Sequence, residues 1–292
     1  MHRRVAERLR RGNSLLAAMS GEGKRDQGDA RDERNEEFWR KYLSEPDSML
    51  RVGRQLFTHL PSEPRCRLCT APFAGAGAPL MRIIGKRQSS GNPYMCTSCQ
   101  STLIKHHGGA EVEGALLFAD IRGSTSLAES MSTADYHALL NRFYRAASQA
   151  VFEHDGVVDK FVGDELVAHF FTNFAGERYV AKAVDTARAL LAATGHGAPE
   201  GPWVPIGAGV HRGLAWFGAV GEGTHVELTA VGDAVNVAAR LAAAAGPGEI
   251  LVSAAAAESA GLDTRLERRS LQLKGKSEPT DVVVLRPESG KR

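Results

Sequence analysis

Three short stretches hold residues whose types and spacing suit joint chemistry. They are Phe118-Ala-Asp-Ile-Arg-Gly-Ser-Thr125, Asp159-Lys-Phe-Val-Gly-Asp-Glu165 and Thr229-Ala-Val-Gly-Asp-Ala-Val-Asn-Val-Ala-Ala-Arg240. The first two each place an aspartate, Asp120 or Asp164, at a strand end beside a turn. Converging hard oxygen ligands select Mg²⁺ or Mn²⁺. Either aspartate alone would be ordinary turn chemistry; the pair is what points to metal. Gly123-Ser124-Thr125 opens a helix, and the exposed N–H groups of a helix start attract phosphate. In the third stretch Asn236 and Arg240 are four residues apart, hence on one helix face, with Asp233 as the expected N-cap. Together these residues describe a site for two metals and a triphosphate.

A second constellation lies upstream. Cys66-Arg-Leu-Cys69 and Cys96-Thr-Ser-Cys99 are two CxxC knuckles separated by 26 residues. Each supplies two thiolates on one tight turn, and a tetrahedral ion takes four. The spacing is longer than in the usual zinc ribbon. Zn²⁺ is the default occupant, with an iron–sulfur cluster as the alternative. Arg65, Arg67, Lys86 and Arg87 are few, and only Tyr94 and Phe73 interleave with them, so nucleic acid is not an expected partner. A sensory or dimer-setting role, coupled through residues 101–109, is the preferred reading of this module.

The elements that position these groups follow from pattern. Residues 1–35 read as a flexible charged tail, including the basic start Met1–Arg11, which reads as solvated. Residues 36–62 read as helical: Phe38, Trp39, Tyr42 and Leu43 cluster at helical spacing, then Met49, Val52, Leu56 and Leu60. Residues 63–108 hold the cysteine module and a linker. Residues 109–292 alternate strands and helices. Strands are expected at Gly114–Ala119, Val157–Val162, Leu166–Phe171, Val204–Val210, Leu214–Val220, Val226–Val231, Ile250–Ser253, Leu271–Leu273 and Val282–Leu285. Helices are expected at Ala134–His154, Ala175–Thr194 and Ala234–Ala245. Gly163-Asp164 suits a two-residue type II′ turn.

With 292 residues, 43% hydrophobic and 24% charged, the chain has room for one sizeable domain plus a smaller module. Its net charge of +2 carries no strong nucleic-acid signature. No apolar stretch approaches the length of a bilayer span, and Leu15–Met19 is too short for a signal-peptide core. The reading is cytoplasmic, with reduced cysteines.

From about Gly114 to Leu285 the three stretches resemble, in order, the catalytic domain of the class III nucleotidyl cyclases. The resemblance implies an α+β fold, a mainly antiparallel sheet with a ferredoxin-like centre and packed helices. It implies that Asp120 and Asp164, with the Ile121 carbonyl, hold two metals. Asn236 would orient the ribose and Arg240 would stabilise charge developing at the α-phosphate. Gly123, Ser124, Thr125 and Lys276 would meet phosphates, with Lys274 as the other register.

The family's base-reading positions fall on Lys160 and Thr229. Lys donates to adenine N1, and the Thr hydroxyl can accept from N6; guanine presents the reverse pattern. Guanylyl members hold an acid and a cysteine there, so the expected substrate is ATP. A guanylyl cyclase and a nucleotide sensor without turnover are the alternatives. Many relatives carry a phosphate-contacting Arg where this chain has His225, with Arg212 as a substitute. The family also implies a head-to-tail homodimer with two shared sites, one protomer giving the aspartates and the other Lys160, Thr229, Asn236 and Arg240.

Overall fold

The apolar run Gly114–Ala119 is only the middle of strand β1 (Gly108–Ile121). Ala110 and Val112 are buried while Glu111 and Glu113 face solvent, so alternation carries the strand back to Gly108. In the chain's computed structural model, residues 31–60, 64–221 and 226–287 are described. After β1 come α5 (Ser124–Ser130) and α6 (Thr133–Glu153), reached from four earlier helices introduced below. The hairpin β2 (Val157–Val162) and β3 (Glu165–Phe170) follows, with Gly163 at φ +60° as the first place of a type II′ turn requires. Then come α7 (Thr172–Ala175), α8 (Tyr179–Ala193), β4 (Ile206–Val220), β5 (Glu227–Val231) and α9 (Asp233–Ala244). The chain closes with β6 (Ile250–Ser253), α10 (Ala254–Ser259), β7 (Arg268–Leu271) and β8 (Thr280–Leu285).

The strands form one sheet in the order β2-β3-β1-β4-β6-β8-β7, with β5 paired to β4. Every pairing is antiparallel except β4 with β6. The first four strands have the ferredoxin-like order, so the expected α+β class holds. Three boundaries differ from expectation. The strands read as Val204–Val210 and Leu214–Val220 are one strand, because β4 pairs with β1 without a break from Ile206 to Ala219. The helix read as Ala175–Thr194 is split by Gly176 at φ +75°. The strand read as Leu271–Leu273 lies earlier, and α10 was not foreseen. No helix of the described residues is long and apolar enough to cross a membrane.

Both faces of the sheet are covered. Leu117, Ala119, Phe143, Val151, Leu190 and Val252 belong to the core on the α6, α8 and α10 side. Their neighbours Leu116 and Phe118 point the other way, into a core shared with Phe217, Trp39, Leu68, Met81 and Leu103. The cysteine region is therefore built into the second face of the sheet. A helix over residues 31–44, α1, lies here with α2 (Ser48–Thr58), α3 (Ala78–Ile83) and α4 (Thr97–Lys105). Trp39 Nε1 donates to the His106 carbonyl at 2.6 Å, and Asn35 donates to that of His107 at 2.8 Å. Residues 31–35 thus belong to a docked helix and not to the tail expected over 1–35, whose remainder lies outside the described residues.

Helix α2 forms where helical spacing predicts it, but its apolar residues face outward. Met49, Val52 and Leu56 are 83%, 62% and 63% exposed, while Arg54 is 1% exposed. Arg54 faces inward because it ties two buried carbonyls. Its Nη1 donates to Leu68 in the first cysteine knuckle and its Nη2 to Gly156 at 2.5 Å, just before β2. The guanidinium also lies 5.0 Å from the centre of the Phe174 ring. Arg54→Ala is expected to cost about 3–5 kcal/mol, from two orphaned buried carbonyls and the cavity left behind. Urea unfolding reads this directly, and a loss below ~1 kcal/mol would remove the strut from the account.

Candidate active site

Register brings the carboxylates together. Asp120, at the end of β1, pairs with Glu165 of β3, and the Ile121 N–H donates to the Asp164 carbonyl at 3.4 Å. Burial raises the Asp120 carboxyl to about 6, helped by a hydrogen bond with Asp164 and opposed by Arg122. Burial likewise raises Glu165 to about 7, with Asp120 and Asp164 adding to the effect. Acidic groups crowded like this favour a cation among them. The donor set of carboxylates beside the Ile121 backbone suits a hard divalent ion. Arg122 donates to Asp120 and, from Nη1, to the Ala243 carbonyl at 3.3 Å near the end of α9. Gly123, at φ +70°, turns the chain into α5, so Ser124 and Thr125 form that helix's first turn beside the carboxylates.

The second group gathers around Asp159. Strand β2 is bulged between Val158 and Lys160, leaving Asp159 out of the register. Its buried carboxylate accepts from His169 Nε2 at 2.9 Å and from the Thr229 hydroxyl at 3.0 Å. Lys160 Nζ stands 3.5 Å from the same carboxylate and 3.7 Å from Glu227. Burial pushes the Asp159 carboxyl up, but His169, Lys160 and Thr229 outweigh it and hold it below the ordinary range. Lys160 of β2 and Thr229 of β5 are thus brought to one place by a residue that lies between them. The Thr229 proton is committed to Asp159, so toward any further partner the hydroxyl is an acceptor.

The third group is the face of α9. A Cβ on Gly209 would run into the backbone of Ala238 and Ala242, so this glycine lets α9 lie directly on β4. Asp233 does not cap the helix: Gly232, at φ +141°, takes that place without a side-chain bond. Asp233 instead pairs with Lys276. Arg240 lies two turns further along, its guanidinium beside Gly275, and Asn236 is exposed between them. The turn Lys274-Gly-Lys276 therefore crosses the face that carries Asn236 and Arg240. Arg212 stands with other partners, donating to Glu113 at 2.7 Å and bonded to Tyr179. His225 lies outside the described residues.

The four cysteines converge. Cys66, Cys69, Cys96 and Cys99 are all buried, with their sulfurs within 4.8 Å of one another. Cys69 and Cys96 are 3.7 Å apart, close to the ~3.8 Å that a tetrahedral ion with bonds of about 2.3 Å imposes. Backbone N–H groups of Cys96 and Cys99 point at the sulfurs of Cys66 and Cys96, at 3.3 and 3.4 Å. Lys86 Nζ lies 3.8 Å from Cys69. The four fit a thiophilic metal centre.

Sequence reading did not single out Asp159, His169, Glu165, Arg122 or Glu227. Asp159 adjoins Lys160, and that adjacency was the available signal. His169 reaches it only through the β2–β3 register.

The family model for the adenylate and guanylate cyclase catalytic domain matches residues 110–285. An uncharacterized protein of Mycobacterium tuberculosis is 36% identical over 181 residues, 60% of this chain and 33% of that protein. The adenylate cyclase of Anabaena cylindrica is 32% identical over 135 residues, 43% of this chain and 26% of its own. The chain thus matches about a third or less of the length of these curated relatives. Among solved structures, the adenylyl cyclase CyaB from P. aeruginosa superposes with a TM-score of 0.54 at 26% identity, covering 63% of this chain and 99% of that one. The guanylyl cyclase Cya2 shares the fold, with a TM-score of 0.55 at 24% identity over 61% of this chain and 93% of its own.

Proposed function

The chain belongs to the adenylate and guanylate cyclase catalytic domain family, and from that premise we propose that it is an adenylyl cyclase, converting ATP to 3′,5′-cyclic AMP and pyrophosphate. The observation that carries the choice of base is the polarity of the Thr229 hydroxyl. Its proton goes to Asp159, so it meets a ligand as an acceptor and suits the N6 amino group of adenine. Lys160 is a donor only and suits adenine N1. Guanine would set an oxygen against Thr229 and an N–H against Lys160, two mismatches.

The other roles are those that the family resemblance implies for the matched positions. Asp120, Asp164 and the Ile121 carbonyl would hold two Mg²⁺ or Mn²⁺ ions, which when bound make the ribose 3′-hydroxyl more acidic and neutralise the triphosphate. Gly123, Ser124, Thr125 and Lys276 hold phosphate oxygens. Asn236 orients the ribose, and Arg240 stabilises charge at the α-phosphate as the new bond forms. Zn²⁺ is the proposed ion at Cys66, Cys69, Cys96 and Cys99, an iron–sulfur cluster being the other donor-compatible occupant. The working location is the cytoplasm.

The protein acts as a head-to-tail homodimer with two sites. Among the described residues, no hydrogen bond or ion pair joins Asp120 or Asp164 to Lys160, Thr229, Asn236 or Arg240 within the chain. Val162, Val220 and Val231, at the ends of the β2–β3 and β4–β5 ribbons, are apolar and exposed, as a surface awaiting a second copy would be.

The purified protein with Mn²⁺ is expected to form cyclic AMP from ATP and far less cyclic GMP from GTP, with Asp120→Ala abolishing both. Comparable kcat/KM for the two nucleotides would overturn the base assignment. Lys160→Glu with Thr229→Cys is expected to lower the ATP-over-GTP ratio by about 100-fold, from two reversed hydrogen-bond pairs.

A further inference from the structure

Arg67 sits inside the first cysteine knuckle, yet its side chain leaves the cysteine cluster and reaches the catalytic sheet. Its Nη1 donates to the Asp159 carbonyl at 3.0 Å. That carbonyl belongs to the residue that the β2 bulge leaves out of register. The guanidinium is held in place by aromatic rings, 3.7 Å from the centre of Tyr94 and 6.0 Å from that of Phe161. The Arg67 N–H also donates to the Tyr94 carbonyl at 2.9 Å. Each knuckle therefore contributes one half of the clamp: Arg67 follows Cys66, and Tyr94 lies two residues before Cys96. Arg67, Tyr94, Lys160, Phe161 and Glu227 all line one cavity of about 690 Å³.

We infer that Arg67 is a positioning residue for base recognition, linking the four-cysteine centre to Lys160 and Thr229 through the bulged Asp159. The chain of contacts is short. The knuckles place Arg67 and Tyr94, Arg67 fixes the Asp159 backbone, the Asp159 carboxylate orients the Thr229 hydroxyl, and Lys160 is the next residue along. A shift of Asp159 would rotate both base-reading groups while leaving Asp120, Asp164 and Arg240 in place. The centre thus acts on which nucleotide is held, more than on the rate once it is held. The inference rests on Lys160 and Thr229 reading the base.

Arg67→Met tests it, because the stem still packs on Tyr94 and Phe161 while the donor is lost. Equilibrium binding of non-cyclisable ATP and GTP analogues to the full chain is measured, with zinc content, melting temperature and steady-state kinetics alongside. The expected result is about tenfold weaker ATP-analogue binding and an ATP-over-GTP preference lowered about tenfold, with zinc content unchanged and kcat at saturating ATP within about threefold. Arg67→Lys, which keeps a donor, is expected to recover part of the preference. An unchanged preference in Arg67→Met, with Lys160→Ala lowering it, would overturn the role of Arg67 and leave the base assignment standing. An unchanged preference in Lys160→Ala would overturn the base assignment itself. Loss of zinc from Arg67→Met would make Arg67 a structural part of the knuckle and likewise end its positioning role.

Discussion

Mixing Asp120→Ala protein with Arg240→Ala protein is expected to restore cyclic-nucleotide synthesis that neither variant performs alone. Asp120 sits in the carboxylate group at the end of β1, and Arg240 sits on α9 beside the Lys274–Lys276 turn. Within one chain no hydrogen bond or ion pair among the described residues joins Asp120 to Arg240: Arg122 ties Asp120 to the Ala243 carbonyl near the end of α9, while Arg240 lies beside Gly275. If each site takes its aspartates from one protomer and its arginine from the other, a mixed dimer has one doubly damaged site and one intact site. Random exchange makes half the dimers mixed, so the mixture should recover about a quarter of wild-type activity. Each variant alone should lose at least about 10²–10³-fold, as removal of a group that meets developing charge does. The measurement is cyclic AMP formed by each variant and by the mixture after subunit exchange. A mixture no better than its components would place both half-sites on one protomer and sink the shared-site mechanism.

What was legible in the sequence was what spacing alone determines. Asp120 and Asp164 stood out because each ends a strand at a turn, and the Asn236–Arg240 face followed from helical periodicity. The Asp159 network was not legible. Alternation along β2 would give Asp159 an ordinary place in the ladder; the bulge takes it out of register. His169 and Thr229 then meet it from two different strands, a convergence set by tertiary pairing. The same limit explains α2. Periodicity places Met49, Val52 and Leu56 on one helix face, yet that face is exposed and Arg54 is inside. Hydrophobic pattern reports which face is apolar, not which face a neighbour needs. Here the Leu68 and Gly156 carbonyls needed a donor, and a long cation on the opposite face supplies it. The cysteine knuckles were plain from their spacing, but their place in the sheet's own core depends on apolar residues scattered from Trp39 to Phe217.

That shared core sets the second large effect. Removing the ion proposed at the four cysteines should lower the melting temperature of the sheet and the cysteine region together, in a single transition. A separable module would melt by itself and leave the sheet's transition where it was. Here Cys66, Cys69, Cys96 and Cys99 are buried in the same cluster as Leu116, Phe118, Val167 and Phe217. Without an ion, four sulfurs crowded within 4.8 Å lose their common partner, and the knuckles have no other covalent link, since all four cysteines are free thiols. Loosening the first knuckle frees the Leu68 carbonyl held by Arg54, and with it the tie to Gly156 at the start of β2. A structural ion of this kind contributes several kcal/mol of folding free energy. For a chain of this size that corresponds to a fall of about 10 °C or more. The check is calorimetry before and after chelation and on Cys96→Ser, with metal analysis and the visible absorption spectrum to identify zinc or iron. Two resolved transitions, with the upper one unmoved by chelation, would show that the cysteine region only leans on the sheet. One lowered transition would make metal loading a condition for the catalytic fold itself.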